Sequence, residues 1–190
     1  MVYCSPWQLR QVLARYLSQR PEQIRFCRGD RGKPALLDPR LASGELSQPL
    51  EFNLSHSGDV GLLGIAQAPV GVDVEQLRPL TDSLSMARRF FSVKEFNFLQ
   101  SLHESQRSQA FCRHWSCKEA YVKATGEGLV DQLDRVAVAL EPEVRWMALP
   151  QGDPQQWQLR CLAPTAQTVA AVVVQQAAPL QIRWCRSPRL

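Results

Sequence analysis

The chain has 190 residues, of which 45% are hydrophobic and 21% charged, with a formal net charge of +4. This length and apolar share suffice for a buried core without disulfides or metals, and they exclude a disordered chain. The longest apolar run, TVAAVVV at 168–174, has the length of one strand, so no membrane span is expected.

Cysteines at 4, 27, 112, 117, 161 and 185 form no CxxC pair, which fits reduced thiols in a cytoplasmic protein. The basic balance favours an acidic partner. Arginines occur singly or in pairs without interleaved aromatics, so no nucleic-acid platform is expected.

SPWQLRQVLARYLSQRP (5–21) predicts an amphipathic helix. Ser5 and Pro6 mark its start, Leu9, Val12, Leu13, Tyr16 and Leu17 its apolar stripe, and Pro21 its end. QIRFCRGDRGKPAL (23–36) reads as a strand, a glycine-rich turn and an extended piece, and residues 50–79 as three strands with turns at 57–59 and 68–69. DSLSMARRFF (82–91) is helical. A new helix then starts at Ser92 as N-cap, with Glu95 as capping-box partner and Phe91 and Phe96 as the hydrophobic staple. A longer helix runs from about Gln106 to Gly126, whose glycine supplies the left-handed stop. VDQLDRVAVAL, EVRWMAL, QWQLRCLA and TVAAVVVQQ follow as strands, giving an α+β chain.

Asp73 and Glu75 are two apart on a predicted strand and share one face, opposite Val72 and Val74. On the long helix Trp115, Glu119 and Lys123 share a face, with Lys118 about 100° to one side. Each group alone reads equally well as a solvated surface. Together, three carboxylates beside lysines suit Mg²⁺, which binds through few carboxylates plus substrate phosphates. Only four of the 22 basic residues are lysines, and two of them, Lys118 and Lys123, flank Glu119.

In NLSHSGD (53–59), Asn53, Ser55 and Ser57 alternate to one side of an extended segment and His56 to the other. His56 could grip a phosphate with Lys33, Arg28 and Arg31, or be structural. The glycines of RGDRGKP match neither a P-loop nor a dinucleotide fingerprint. Cys112, His114 and Cys117 point in diverging directions on one helix, which argues against zinc.

GKP (32–34), FNLSHSGD (52–59), GVDVEQLRP (71–79), and RRFFSVKE (88–95) followed by HWSCKEAYVKATGEGL (114–129) resemble the surfactin-type (Sfp-type) 4′-phosphopantetheinyl transferases. The resemblance implies two similar α+β subdomains related by a pseudo-twofold axis, here 1–70 and 71–190, the second with most of the catalytic motifs. Members usually carry about fifty residues more before the first helix, so an incomplete N-terminal sheet is expected. It also implies transfer of the phosphopantetheine arm of coenzyme A to a serine of an acidic apo acyl or peptidyl carrier protein, releasing 3′,5′-ADP, by a monomer. Asp73, Glu75 and Glu119 would hold Mg²⁺, and Glu119 or a metal-bound water would be the base. Lys123 would stabilise the leaving phosphate, with Lys118 a further pyrophosphate contact. Arg28, Lys33, Ser55 and His56 complete the expected coenzyme A set. The alternatives are another Mg²⁺-dependent pyrophosphate-cleaving enzyme, or a binding module for coenzyme A or carrier protein with impaired catalysis.

Overall fold

The computed structural model describes residues 6–29, 31–37, 49–128 and 130–185; the expected N-cap Ser5 lies outside them. The first helix, α1 (Pro6–Leu17), buries Leu13, Ala14 and Leu17 beside Ile24. Tyr16, placed on its apolar stripe by sequence, is 56% exposed, because only a narrow strip of α1 meets other elements.

Strands β1 (Phe26–Arg28) and β2 (Pro34–Leu36) form one antiparallel pair, and β3 (Glu51–Ser57) and β4 (Val60–Ala66) form a hairpin turning at Gly58, whose φ is +56°. β5 (Val70–Gln76) belongs to a different sheet. There it pairs antiparallel with β9 (Thr168–Gln175), which also pairs with β8 (Trp157–Leu162). β9 is central and buried along all but its last residue, which explains why its sequence is a continuous apolar run rather than an alternating one.

The hairpin is joined to β5 through side chains. β5 uses one edge for β9, and the N–H groups of Val72, Val74 and Gln76 donate to Asn53 Oδ1 (2.8 Å), Ser55 Oγ (3.3 Å) and Ser57 Oγ (3.0 Å). The period of two in Asn-x-Ser-x-Ser thus matches the period of the donors along β5.

Helices α2 (Ser83–Phe90) and α3 (Val93–Ser101) are separated by the expected capping box: Glu95 N–H donates to Ser92 Oγ at 3.4 Å, and Ser92 N–H to Glu95 Oε2 at 2.8 Å. Helix α4 (Glu104–Thr125) begins two residues before the expected start. It stops at Gly126, whose φ is +71° and whose N–H donates to Val122 O. It packs on β5 and β9 with α2 and α3 alongside, so it is buried over most of its circumference.

The segment expected as a strand from residue 130 forms a 3₁₀ turn (Val130–Arg135) before the short strand β6 (Ala137–Ala139), which pairs with β7 (Arg145–Ala148). Leu133 within this turn and Val136 just after it both present their carbonyls to Lys118 Nζ. The largest core cluster lies between α4 and this end of the sheet, around Tyr121, Trp157, Leu159 and Val173.

Candidate active site

The site lies where β5 crosses α4. Gly71, Asp73 and Glu75 alternate onto the face of β5 that meets the helix. Gly71 permits the contact, since a Cβ there would lie 1.9 Å from Ala120 O and 2.4 Å from Ala124 N. This close approach brings Lys123 to Asp73: Nζ is 2.5 Å from Oδ1, with Asp73 only 4% exposed.

Ser55 completes this cluster from β3. Its hydroxyl donates to Asp73 Oδ1 (3.0 Å) and accepts from Lys123 Nζ (3.1 Å) and Val74 N–H. With its proton and both lone pairs engaged, Ser55 orients Asp73 and Lys123, a different task from the expected coenzyme A contact.

Glu75 and Glu119 are half-buried beside this pair. Burial raises the Asp73 carboxyl above its ordinary range, against the opposing pull of Lys123. Burial also raises Glu75 and Glu119, and neighbouring carboxylates push both further. The three carboxylates therefore feel one another's charge across the strand–helix junction.

Among the described residues, no three His, Cys, Asp or Glu side chains already stand at metal-ligand spacing. The donor set nonetheless fits a hard cation. Asp73 Oδ2 is buried without a hydrogen-bond partner, and Glu75 feels the charges of both Asp73 and Glu119.

Lys118 is a correction. Its side chain is fully buried on another side of α4, with Nζ 2.9 Å from Glu95 Oε2 and 2.8 Å from Leu133 O, and a further bond to Val136 O. All three ammonium protons are engaged, so it is no pyrophosphate contact here. Glu95 is equally satisfied, accepting from the Ser92 N–H and hydroxyl and from Val138 N–H at 2.9 Å. Sequence reasoning saw Glu95 only as a cap and missed that it anchors α4 through Lys118.

Lys33 reaches the end of α4, donating to Ala124 O (2.8 Å) and Val70 O (3.3 Å), and burial lowers its pKa. Arg31 donates to Glu127 O nearby. His56 and Arg28 are exposed, on β3 and β1. Cys112, His114 and Cys117 diverge: Cys112 packs in the phenylalanine cluster, His114 Nδ1 meets Ala110 O, and Cys117 faces Cys161.

A family model described as the 4′-phosphopantetheinyl transferase superfamily matches residues 69–173. The chain is 42% identical over 167 residues to the 4′-phosphopantetheinyl transferase HetI of Nostoc sp., covering 87% of this chain and 67% of that protein. It is 33% identical over 135 residues to 4′-phosphopantetheinyl transferase Sfp of Bacillus subtilis, covering 71% of this chain and 56% of that one. The chain thus spans between a little over half and two thirds of the length of these relatives. A holo-(acyl-carrier-protein) synthase structure from Bacillus anthracis aligns with 58% of this chain and 97% of its own, at 18% identity and a TM-score of 0.48.

Proposed function

Because the chain belongs to the 4′-phosphopantetheinyl transferase superfamily, we propose that it transfers the phosphopantetheine arm of coenzyme A to a serine of an apo acyl or peptidyl carrier protein, releasing 3′,5′-ADP. The observation that carries this reading is the cluster of Asp73, Glu75, Glu119 and Lys123 at the β5–α4 junction, with a buried carboxylate oxygen left unpartnered. Such a cluster suits a pyrophosphate and a hard cation and offers little to an uncharged substrate.

Asp73, Glu75 and Glu119 would hold Mg²⁺, which when bound supplies charge neutralisation and orientation of the pyrophosphate. Glu119 takes the proton of the attacking serine hydroxyl, and its raised pKa makes it a better base than an ordinary carboxylate. The serine oxygen bonds to the β-phosphorus of coenzyme A as the bond from that phosphorus to the 3′,5′-ADP oxygen breaks. Lys123, on the same face of α4 one turn away, stabilises charge on the departing phosphate.

Lys33, His56 and Arg28 are the proposed contacts for the 3′-phosphate. Lys33 spends two donors on carbonyls and keeps a third. A cytoplasmic location is part of this proposal; among the described residues no helix is long and apolar enough to cross a membrane.

The test is mass spectrometry of an apo carrier protein incubated with this protein, coenzyme A and Mg²⁺. A phosphopantetheine increment on the acceptor serine is expected, lost with Asp73→Asn and with Glu119→Gln. Pyrophosphate cleavage without acceptor modification would overturn the proposal in favour of a hydrolase.

A further inference from the structure

Cys117 projects from α4 into the main core and is completely buried, with its Sγ 3.4 Å from the Sγ of Cys161 on β8. Cys161 is half-buried. Arg113, one turn before Cys117 on α4, faces the same sulfur while ion-pairing with Glu141 at 3.6 Å. The other free cysteines among the described residues differ from this pair. Cys27 and Cys185 are exposed, and Cys112 is buried with its thiol pushed up to about 11.

We propose that Cys161 and Cys117 are a redox-modification site that takes hydrogen peroxide as its oxidant and closes to a reversible disulfide. In the first step the Cys161 sulfur attacks one peroxide oxygen. The O–O bond breaks, the second oxygen leaves as water, and Cys161 becomes a sulfenic acid, oxidised by the two electrons the peroxide gains. In the second step the Cys117 sulfur attacks the sulfenic sulfur, the S–S bond forms, and the sulfenic hydroxyl leaves as water with the Cys117 proton. The balance is two thiols and one hydrogen peroxide giving one disulfide and two waters. A small dithiol restores both thiols by exchange.

Three observations assign these roles. The sulfurs need close only from 3.4 Å to the ~2.05 Å of a disulfide. Cys161 is the partner that solvent reaches, while Cys117 is sealed and meets no oxidant before Cys161 does. The Cys161 thiol is also held below its ordinary pKa, chiefly by the hydrogen bond from Cys117 and further by Arg113, against the opposing effect of burial.

The bond would tie α4 to β8 across 44 residues of chain, at the residue before Lys118 and two before Glu119. Oxidation should therefore secure the catalytic helix to the sheet.

The full chain is treated with an equivalent of hydrogen peroxide at neutral pH, blocked with N-ethylmaleimide, digested and mapped by mass spectrometry. A peptide cross-linked through Cys117 and Cys161 is expected, abolished by dithiothreitol, together with a Tm raised by roughly 5–10 °C in the oxidised protein. Cys161→Ala should lose both signals, and Cys112→Ser should keep both. The proposal is overturned if Cys161 proceeds to sulfinic acid while Cys117 stays maleimide-reactive on unfolding, or if the cross-links found join Cys27 or Cys185 instead. None of these readouts uses transferase activity, so their failure is distinct from failure of the proposed reaction.

Discussion

Replacing Lys118 by methionine separates two readings of this lysine. Its ammonium is 2.9 Å from Glu95 Oε2 and 2.8 Å from Leu133 O, and lies 4.9 Å from the centre of the Phe91 ring, with no exposed surface. Methionine keeps the length and apolar stem but deletes the charge, stranding Glu95 as a buried carboxylate with only its Ser92 and Val138 donors. Breaking a buried pair from one side costs about 3–5 kcal/mol. At roughly 2–4 °C per kcal/mol for a chain of this size, Tm should fall by about 6–20 °C. Glu95→Gln combined with Lys118→Met removes the stranded charge, so the double variant should be more stable than the sum of the singles implies, with a coupling of about 1–3 kcal/mol. Urea unfolding of the four proteins in the cycle gives these numbers, and the KM for coenzyme A is measured where all four are folded. The reasoning fails if Lys118→Met costs under about 1 kcal/mol and raises that KM roughly tenfold, which is the behaviour of an exposed phosphate contact.

Gly71→Ala would force β5 and α4 apart, given the 1.9 Å approach to Ala120 O, and should destabilise by at least about 1–3 kcal/mol while reducing transfer in the folded fraction; unchanged urea unfolding would show that the junction yields freely. The folded-state pKa values of Asp73, Glu75 and Glu119 are raised, so without a cation their contribution to stability is full below the unfolded values and is lost as pH rises through the folded ones. The rise in Tm on adding Mg²⁺ should therefore be larger near pH 7.5 than near pH 5 and should vanish in Asp73→Asn; an equal rise at both pH values, or one surviving in that variant, would remove these carboxylates as the cation site.

What the sequence revealed follows from which forces are local. The Ser92–Glu95 cap, the left-handed stop at Gly126 and the shared face of Asp73 and Glu75 depend on neighbours within a turn or a strand, and these were readable directly. The destination of Lys118 was not. Helical spacing gives angles between side chains but not which direction is inward, and α4 has buried residues on nearly every side, so no apolar stripe marks its core face. The same limit concealed the task of Ser55, because its partners Asp73 and Lys123 lie 18 and 68 residues away. The 3₁₀ turn at Val130–Arg135 was misread as a strand because what shapes it, a buried ammonium collecting two carbonyls, comes from another element.

The join between β3 and β5 has a consequence for anyone exchanging parts between such proteins. A main-chain ladder is indifferent to the residues it connects, so strands held that way can be swapped with little regard to sequence. Here the rungs are the side chains of Asn53, Ser55 and Ser57, and the match is written into those three letters and their spacing. A transplanted hairpin lacking them would leave the N–H groups of buried Val72 and Val74 without an acceptor, while one carrying Asn-x-Ser-x-Ser would dock in a single register. The tripartite pattern therefore works as an address label, directing one hairpin to one strand edge.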